Sequence, residues 1–265
     1  MTYKNLDVIL LVGGKSSRFK INSKSNNNFP KSFQKIRNKY LIVHCMETFI
    51  DFNILNFIFP IGNFKKIFIN NFMNIKKIKN LKCNIFFNAK DYLKSKNNTN
   101  NIKEINILLL NTNINAKKSS RILKVIKSLN IENMFISYGD GIGNINFDKL
   151  YKSHKNSSQI MTVTAKKPKS QYGHFYFKNN KVTDFIEKPI LNNWTNIGYI
   201  LISKKAVKYI VKFEENDLEM GAIKEIAKKG KLNIFKHKGF WKSVDTYKDA
   251  MDLSNLLENN INDKK

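Results

Sequence analysis

Arginine, cysteine and long apolar runs are the scarce features of this chain. Only three arginines, Arg18, Arg37 and Arg121, stand among 47 basic residues, leaving 47 − 3 = 44 lysines. Readers of nucleic-acid grooves depend on the bidentate fork of arginine, so a formal charge of +27 carried almost wholly by lysine does not describe a base-reading surface. Lys, Asn and Ile abound throughout, a bias toward A- and T-rich codons rather than a basic patch placed for a task. Nucleic acid is therefore not expected as the main partner. The two cysteines, Cys45 and Cys83, have neither metal-ligand spacing nor the dense, even pattern of a secreted scaffold, and read as reduced thiols. The longest apolar runs, such as 8–12 and 199–202, fall far short of the roughly 20 residues of a bilayer span. No basic stretch with a following apolar segment opens the chain, so neither membrane insertion nor secretion is expected, and a cytoplasmic location is.

What is present is the material of a core. With 42% hydrophobic and 12% aromatic residues over 265 positions, the chain can bury a sizeable interior. No Pro/Gly/Ser-rich linker and no internal repeat interrupts it, so one continuous domain over 1–265 is expected, with halves at 6–170 and 171–260. Runs rich in Ile, Val and Phe at 6–12, 56–61, 82–88, 105–111, 133–138 and 159–165 read as strands, many apolar enough to be buried on both faces. Between them 40–52, 119–129 and 147–155 carry apolar residues at three- and four-residue spacing, with Ser119 placed to cap the second. This alternation predicts an α/β fold, a Rossmann-like, mixed but mostly parallel sheet flanked by helices, with ligands at the carboxyl ends of its strands. From residue 174 the pattern changes to a small β-hairpin insertion, 174–178 and 181–186, turning at Asn179-Asn180. A strand at 196–202 and helices at 204–211, 219–229 and 247–260 follow. The Asn/Lys-rich segments 22–28 and 94–103 read as loops and 262–265 as a frayed end.

A glycine-bearing loop follows the first strand directly: Leu11-Val12-Gly13-Gly14-Lys15-Ser16-Ser17-Arg18. Backbone N–H groups there can face an anion, because glycine removes the side chain that would bar its approach. The loop is not a P-loop, since the glycine that must precede Gly14-Lys15-Ser16 falls at Ile9. Nor is Gly139-Asp140-Gly141-Ile142-Gly143 a dinucleotide fingerprint, since Asn144 stands where its last glycine belongs. By residue type alone the first loop also suits a glycine turn beside a solvated arginine. Asp140 likewise suits an ordinary turn, and Asp245 the N-cap of helix 247–260.

This loop, with Pro30-Lys31 downstream, resembles the G-G-x-G-T-R … P-K signature of the sugar-phosphate nucleotidyltransferases, in the form closest to the glucose-1-phosphate cytidylyltransferases. The resemblance runs in order from about Leu6 to Leu257. Tyr138-Gly139-Asp140-Gly141 resembles Y-G-D-G, Gln171-Tyr172-Gly173 stands at R-F-G, and Glu187-Lys188-Pro189 matches E-K-P unchanged. Asn196-Ile197-Gly198-Tyr199 is similar to N-G-G-F, and Phe240 to Thr246 to F-W-x-x-M-D-T. The chain departs from the pattern at Ser16 and Ser17, at Ser32, and at Lys118-Ser119-Ser120-Arg121, where the cytidylyltransferases have T-G-G-R.

The resemblance implies an enzyme joining a nucleoside triphosphate, CTP first, to a hexose 1-phosphate, glucose 1-phosphate first, in nucleotide-sugar and polysaccharide biosynthesis. It implies Mg²⁺ held by Asp140 and Asp245, and triphosphate contacts from the catalytic pair Arg18 and Lys31. Nucleotide-binding positions would be Gly13, Gly14, Lys15, Ser119, Arg121 and Gly139. The sugar phosphate would meet Gly173, Glu187, Lys188, Gly198 and Tyr199, and a homo-oligomer is expected. The same fold using UTP or dTTP with another sugar phosphate, a catalytically decayed homologue, and a basic nucleic-acid-binding protein are the alternatives.

Overall fold

The computed structural model describes residues 5–12, 30–62, 64–97, 103–131 and 133–262. The expected loop residues Gly13, Gly14, Lys15 and Arg18, with Ser16 and Ser17, lie outside the described residues. In chain order the first half holds β1 (Asp7–Leu11), β2 (Lys35–Ile36), β3 (Lys39–Tyr40), α1 (Leu41–Ile50), β4 (Asn56–Ile61), α2 (Lys65–Asn74), β5 (Lys77–Ile78) and β6 (Leu81–Phe86). It continues with α3 (Ala89–Asn97), β7 (Ile105–Asn111), α4 (Lys118–Leu129), β8 (Met134–Tyr138), β9 (Gly141–Gly143), α5 (Phe147–Ser157) and β10 (Met161–Lys166). The second half adds β11 (His174–Lys178), β12 (Lys181–Ile186), β13 (Thr195–Ile202), α6 (Val207–Lys212), α7 (Lys224–Lys228), β14 (Leu232–Lys236), β15 (Trp241–Ser243) and α8 (Tyr247–Asn262).

Nine strands form one sheet in the order β14-β10-β13-β8-β1-β4-β7-β6-β5. Neighbours run parallel except at β13, antiparallel to both β8 and β10, and at β5, antiparallel to β6. This is the mixed, mostly parallel α/β sheet that the strand–helix alternation predicts. Strand alternation divides the interior into two layers. Val8 and Leu10 of β1 face one with Phe49 of α1, Phe68 and Phe72 of α2 and Leu253 of α8; Ile9 faces the other with Ile122 and Val125 of α4, Ile210 of α6 and Ile226 of α7. Each fully buried Phe, Leu or Ile contributes roughly 1.5–3 kcal/mol, so both layers anchor the sheet whose strand ends carry the site.

β4 is buried throughout yet contains Pro60, a residue that cannot donate to a ladder. The β1–β4 pairing ends at Ile9 and Ile58, so Pro60 stands just past it, where no ladder bond to β1 is lost. The turn Asn179-Asn180 has φ of 47° and 61°, the two left-handed residues of a tight hairpin turn, as expected.

Several expectations need correction. Ser119 does not cap α4: the helix starts one residue earlier, behind Lys117, with no side-chain cap, and Ser119 is buried inside its first turn. Segment 94–103 is not wholly a loop, because α3 runs to Asn97; Tyr92 donates to Asp7 at 2.6 Å and Lys96 reaches the same carboxylate at 2.6 Å. Helices α2 and α3 and strands β9, β14 and β15 were not expected. Expected helix 219–229 is a π-helical turn, Glu219–Ile223, continued by α7.

Candidate active site

The site is assembled at the carboxyl end of β8, beside the end of β1, where the chain has crossed from one side of β1 to the other. That is the position at which open α/β sheets bind ligands. Gly139 follows β8 so closely over β1 that its N–H donates to Leu11 O at 3.2 Å, and a Cβ there would lie 2.5 Å from Val12 Cγ1. Asp140 comes next. Asp245 is brought to it from 105 residues away by a two-stranded sheet in which Ser243 of β15 pairs with Gly141 of β9. Val244 N–H then donates to Asp140 O at 2.8 Å, and Ser243 Oγ to Asp245 Oδ2 at 3.0 Å. Underneath, the buried Tyr199 hydroxyl donates to Gly141 O at 3.0 Å, so Tyr199 supports the site as wall.

Lys31 reaches both carboxylates. It opens a single 3₁₀ turn, Lys31–Phe33, whose Phe33 is buried edge-on against Tyr40, Phe68 and Phe72. Its Nζ donates to Asp140 Oδ2 at 2.6 Å, Asp245 Oδ1 at 3.2 Å and Val244 O at 3.3 Å. Burial alone would lower the lysine's pKa, but Asp140 and then Asp245 outweigh it and raise it, so the ammonium stays charged. Among the described residues the cluster joins one ammonium to two carboxylates, which supply hard oxygen donors.

The N-cap alternative for Asp245 is filled by its neighbour. Thr246 Oγ1 accepts from Asp249 N–H at 3.2 Å, while Asp249 Oδ2 accepts from the N–H groups of Asp245 and Thr246 at 3.1 and 2.8 Å. This is a capping box. It leaves the Asp245 carboxylate facing Lys31.

The other expected residues are placed around this cluster. Arg121 is buried and donates to the carbonyls of Val12 (3.0 Å), Pro60 (3.3 Å), Ala116 (3.1 Å) and Ile114 (3.3 Å), tying the chain leaving β1 to the end of β4 and the turn before α4. Ser119 Oγ is buried with no partner among the described residues. Gly198 has φ of +86°, and a Cβ there would lie 2.5 Å from Tyr138 Cδ2, so glycine is what admits the Tyr138 ring. Gly173, Glu187 and Lys188 meet at the base of the hairpin: a Cβ on Gly173 would come within 2.7 Å of Glu187 Oε2, and Lys188 Nζ lies 3.7 Å from Glu187 Oε1. Lys188 has φ of +50° directly before Pro189, a left-handed conformation that lysine rarely adopts and that a following proline further disfavours.

Glu219 was not among the expected residues. It accepts from the Tyr138 hydroxyl and pairs with Lys118 Nζ at 3.0 Å, while Lys118 lies 4.9 Å from the centre of the Tyr138 ring. Burial, then Glu219, pushes the Tyr138 hydroxyl's pKa up, so it remains a donor two residues before Asp140. The π-helical turn that presents Glu219 is a geometry common at functional sites, and nothing in one sequence marks it.

Comparison with known proteins places the chain in a family. The family model described as nucleotidyl transferase matches residues 7–260. A protein of Bacillus subtilis (strain 168) described as a probable glucose-1-phosphate cytidylyltransferase is 26% identical over 257 residues, covering 95% of this chain and 96% of that protein. Glucose-1-phosphate cytidylyltransferase of Salmonella typhimurium is 23% identical over 258 residues, covering 96% of each. Among solved structures, UDP-glucose pyrophosphorylase complexed with UDP-glucose superposes with a TM-score of 0.65 at 16% identity, covering 96% of this chain and 99% of that one. With a matched span running from β1 into α8 and taking in Lys31, Asp140 and Asp245, the chain belongs to the nucleotidyl transferase family.

Proposed function

We propose that this enzyme transfers CMP from CTP to glucose 1-phosphate, giving CDP-glucose and pyrophosphate. The observation that carries the reading is the meeting of Lys31, Asp140 and Asp245 at the carboxyl end of β8. In the proposed reaction a phosphate oxygen of the sugar phosphate attacks the α-phosphorus in line. The bond from that phosphorus to the bridging oxygen breaks, and pyrophosphate leaves with the electron pair. No enzyme nucleophile is needed, and the protein's work is to align two anions and offset their charge.

The donor set at Asp140 and Asp245, two carboxylates without sulfur or imidazole, fits Mg²⁺, which takes one or two protein carboxylates and completes its shell with phosphate oxygens and water. When bound, the ion would offset phosphate charge. Lys31 and Arg18 would serve the leaving pyrophosphate and Gly13, Gly14, Lys15 and Gly139 the nucleotide, while buried Ser119 and Arg121, the latter donating to backbone carbonyls, would act only by holding the segments around them. Glu187 would hold sugar hydroxyls and Lys188 the sugar phosphate, with Gly173, Gly198 and Tyr199 shaping that side. The two unpaired thiols accord with a reducing compartment, and we place the enzyme in the cytoplasm. Among the described residues no helix is long and apolar enough to cross a membrane.

A second reading changes the nucleotide to UTP or dTTP. It is motivated by Lys118-Ser119-Ser120-Arg121, which departs from the T-G-G-R of the cytidylyltransferases. A pyrophosphate-release screen of four nucleoside triphosphates against a set of hexose 1-phosphates separates the two. CTP with glucose 1-phosphate is expected to turn over best. Turnover with UTP or dTTP and none with CTP overturns the nucleotide assignment, and no release in any combination overturns the enzyme.

A further inference from the structure

Glu219 joins elements that the sequence keeps far apart. Its carboxylate takes the Lys118 ammonium on both oxygens, at 3.0 and 3.1 Å, and accepts from the Tyr138 hydroxyl on Oε1. Lys118 opens α4, Tyr138 closes β8, and Glu219 opens the π-helical turn before α7. A second contact runs beside the first, from Ser120 Oγ to Glu214 Oε1 at 3.3 Å.

Stability does not account for this cluster. The side chains of Lys118 and Glu219 are 39% and 34% exposed, and ion pairs so open to water contribute little. A lysine in the first turn of a helix opposes the helix dipole, which favours cations at the other end, and α4 has no side-chain cap to offset it. The turn that carries Glu219 is π-helical, a rare geometry met mostly at functional sites. Local preferences are thus set aside together in one place, the pattern expected of a functional site rather than of scaffolding.

What the cluster holds is the Tyr138 ring. Gly198 leaves room for it on one side, since a Cβ there would lie 2.5 Å from Tyr138 Cδ2. Lys118 Nζ lies 4.9 Å from the ring centre, and Glu219 fixes the hydroxyl. Tyr138 is also the last residue of β8, opposite Leu11 at the end of β1, and so the last that the nine-stranded sheet holds before Asp140. Only Gly139 stands between, and glycine restrains the backbone least of all residues, so the course of the chain out of Tyr138 decides where the Asp140 carboxylate lies.

We propose that Glu219, held in place by Lys118, is a positioning residue: by clamping Tyr138 it fixes the course of the chain into Asp140, and with it the spacing of the Asp140 and Asp245 carboxylates. This role rests on the transfer proposed at those carboxylates. In it Glu219 touches neither substrate, so its loss acts on ion affinity and kcat and leaves both KM values alone.

Mn²⁺ titration followed by electron paramagnetic resonance, without nucleotide, and pyrophosphate release at saturating metal test this. Tyr138→Phe, which keeps the ring and drops one hydroxyl, and Glu219→Ala are each expected to weaken Mn²⁺ binding and lower kcat. Each loss should be about tenfold, the measure of one charge-assisted hydrogen bond, with the KM of either substrate within about twofold of wild type. Because the two residues act in series, the double variant Tyr138→Phe/Glu219→Ala should lose no more than either single one. Glu219→Gln retains an acceptor for the hydroxyl and should recover most of the loss. Wild-type Mn²⁺ affinity and kcat in Tyr138→Phe, or losses that multiply in the double variant, overturn the proposal. So does a raised nucleotide KM at unchanged kcat, which would make Glu219 a substrate contact. A wild type that binds Mn²⁺ but releases no pyrophosphate fails the proposed transfer instead, and the Mn²⁺ titrations then decide by themselves whether Glu219 positions Asp140.

Discussion

Removing Lys31 should tighten divalent-cation binding to the free protein while slowing the reaction, a combination that a merely structural lysine would not produce. Its ammonium lies 2.6 Å from Asp140 Oδ2 and 3.2 Å from Asp245 Oδ1, and so competes with any cation for both carboxylates. Unit charges about 4 Å apart attract by about 4 kcal/mol at the effective dielectric of a protein surface, and solvent at these partly exposed groups reduces the net value to about 1–2 kcal/mol. At 1.4 kcal/mol per factor of ten, Lys31→Ala should bind Mn²⁺, a paramagnetic stand-in for Mg²⁺, roughly tenfold more tightly than wild type. Asp140→Asn and Asp245→Asn should bind it about tenfold or more weakly. All three should lose on the order of a hundred-fold in turnover, the usual cost of deleting one preorganised charge at a transferring phosphoryl group. Electron paramagnetic resonance titration without nucleotide gives the affinities, and pyrophosphate release gives the rates. Unchanged Mn²⁺ affinity in Lys31→Ala would refute the competition. Wild-type affinity in Asp140→Asn would make it a turn residue, because Asn serves turns equally well.

Other consequences follow from single contacts. Gly198→Ala forces a left-handed φ on alanine and a Cβ into the Tyr138 ring, so thermal denaturation should show a loss of about 2–3 kcal/mol. Thr246→Ala removes the capping-box hydroxyl of α8 and should cost about 1 kcal/mol by the same assay, with turnover changed far less than in Asp245→Asn. Burial against Thr162 holds His154 at a pKa of about 4, below its ordinary 6.5, so the unfolded chain takes up this proton first. Its contribution is present above pH 6.5 and fades as pH falls toward 4, a loss on the order of 2 kcal/mol that His154→Gln should abolish in melting curves across that window.

The strands around the site were legible, though not their order in the sheet, because β1, β4, β7 and β8 are apolar on both faces, which marks buried parallel strands in any context. Lys31, Asp140 and Asp245 were legible through short motifs, each weak alone and meaningful in sequence order. The means of their convergence was not. β9 and β15 are three residues each and too short for periodicity to register, yet their pairing closes the gap between Asp140 and Asp245. α2 and α3 are lysine- and asparagine-rich with weak amphipathic signal, and tertiary contacts such as Tyr92 and Lys96 with Asp7 hold α3 in place. Glu219 was hidden because its partners Lys118 and Tyr138 are 101 and 81 residues away.

The proposed transfer is direct, between two bound substrates and without a covalent enzyme intermediate, at the cluster of Lys31, Asp140 and Asp245. Isotope exchange tests it in one measurement: labelled pyrophosphate is incubated with CTP, Mg²⁺ and enzyme, with and without glucose 1-phosphate. With direct transfer, label enters CTP only when glucose 1-phosphate is present, and enters at least about a hundred-fold more slowly with Asp245→Asn. Exchange with CTP and pyrophosphate alone, or exchange undiminished in Asp245→Asn, would contradict it.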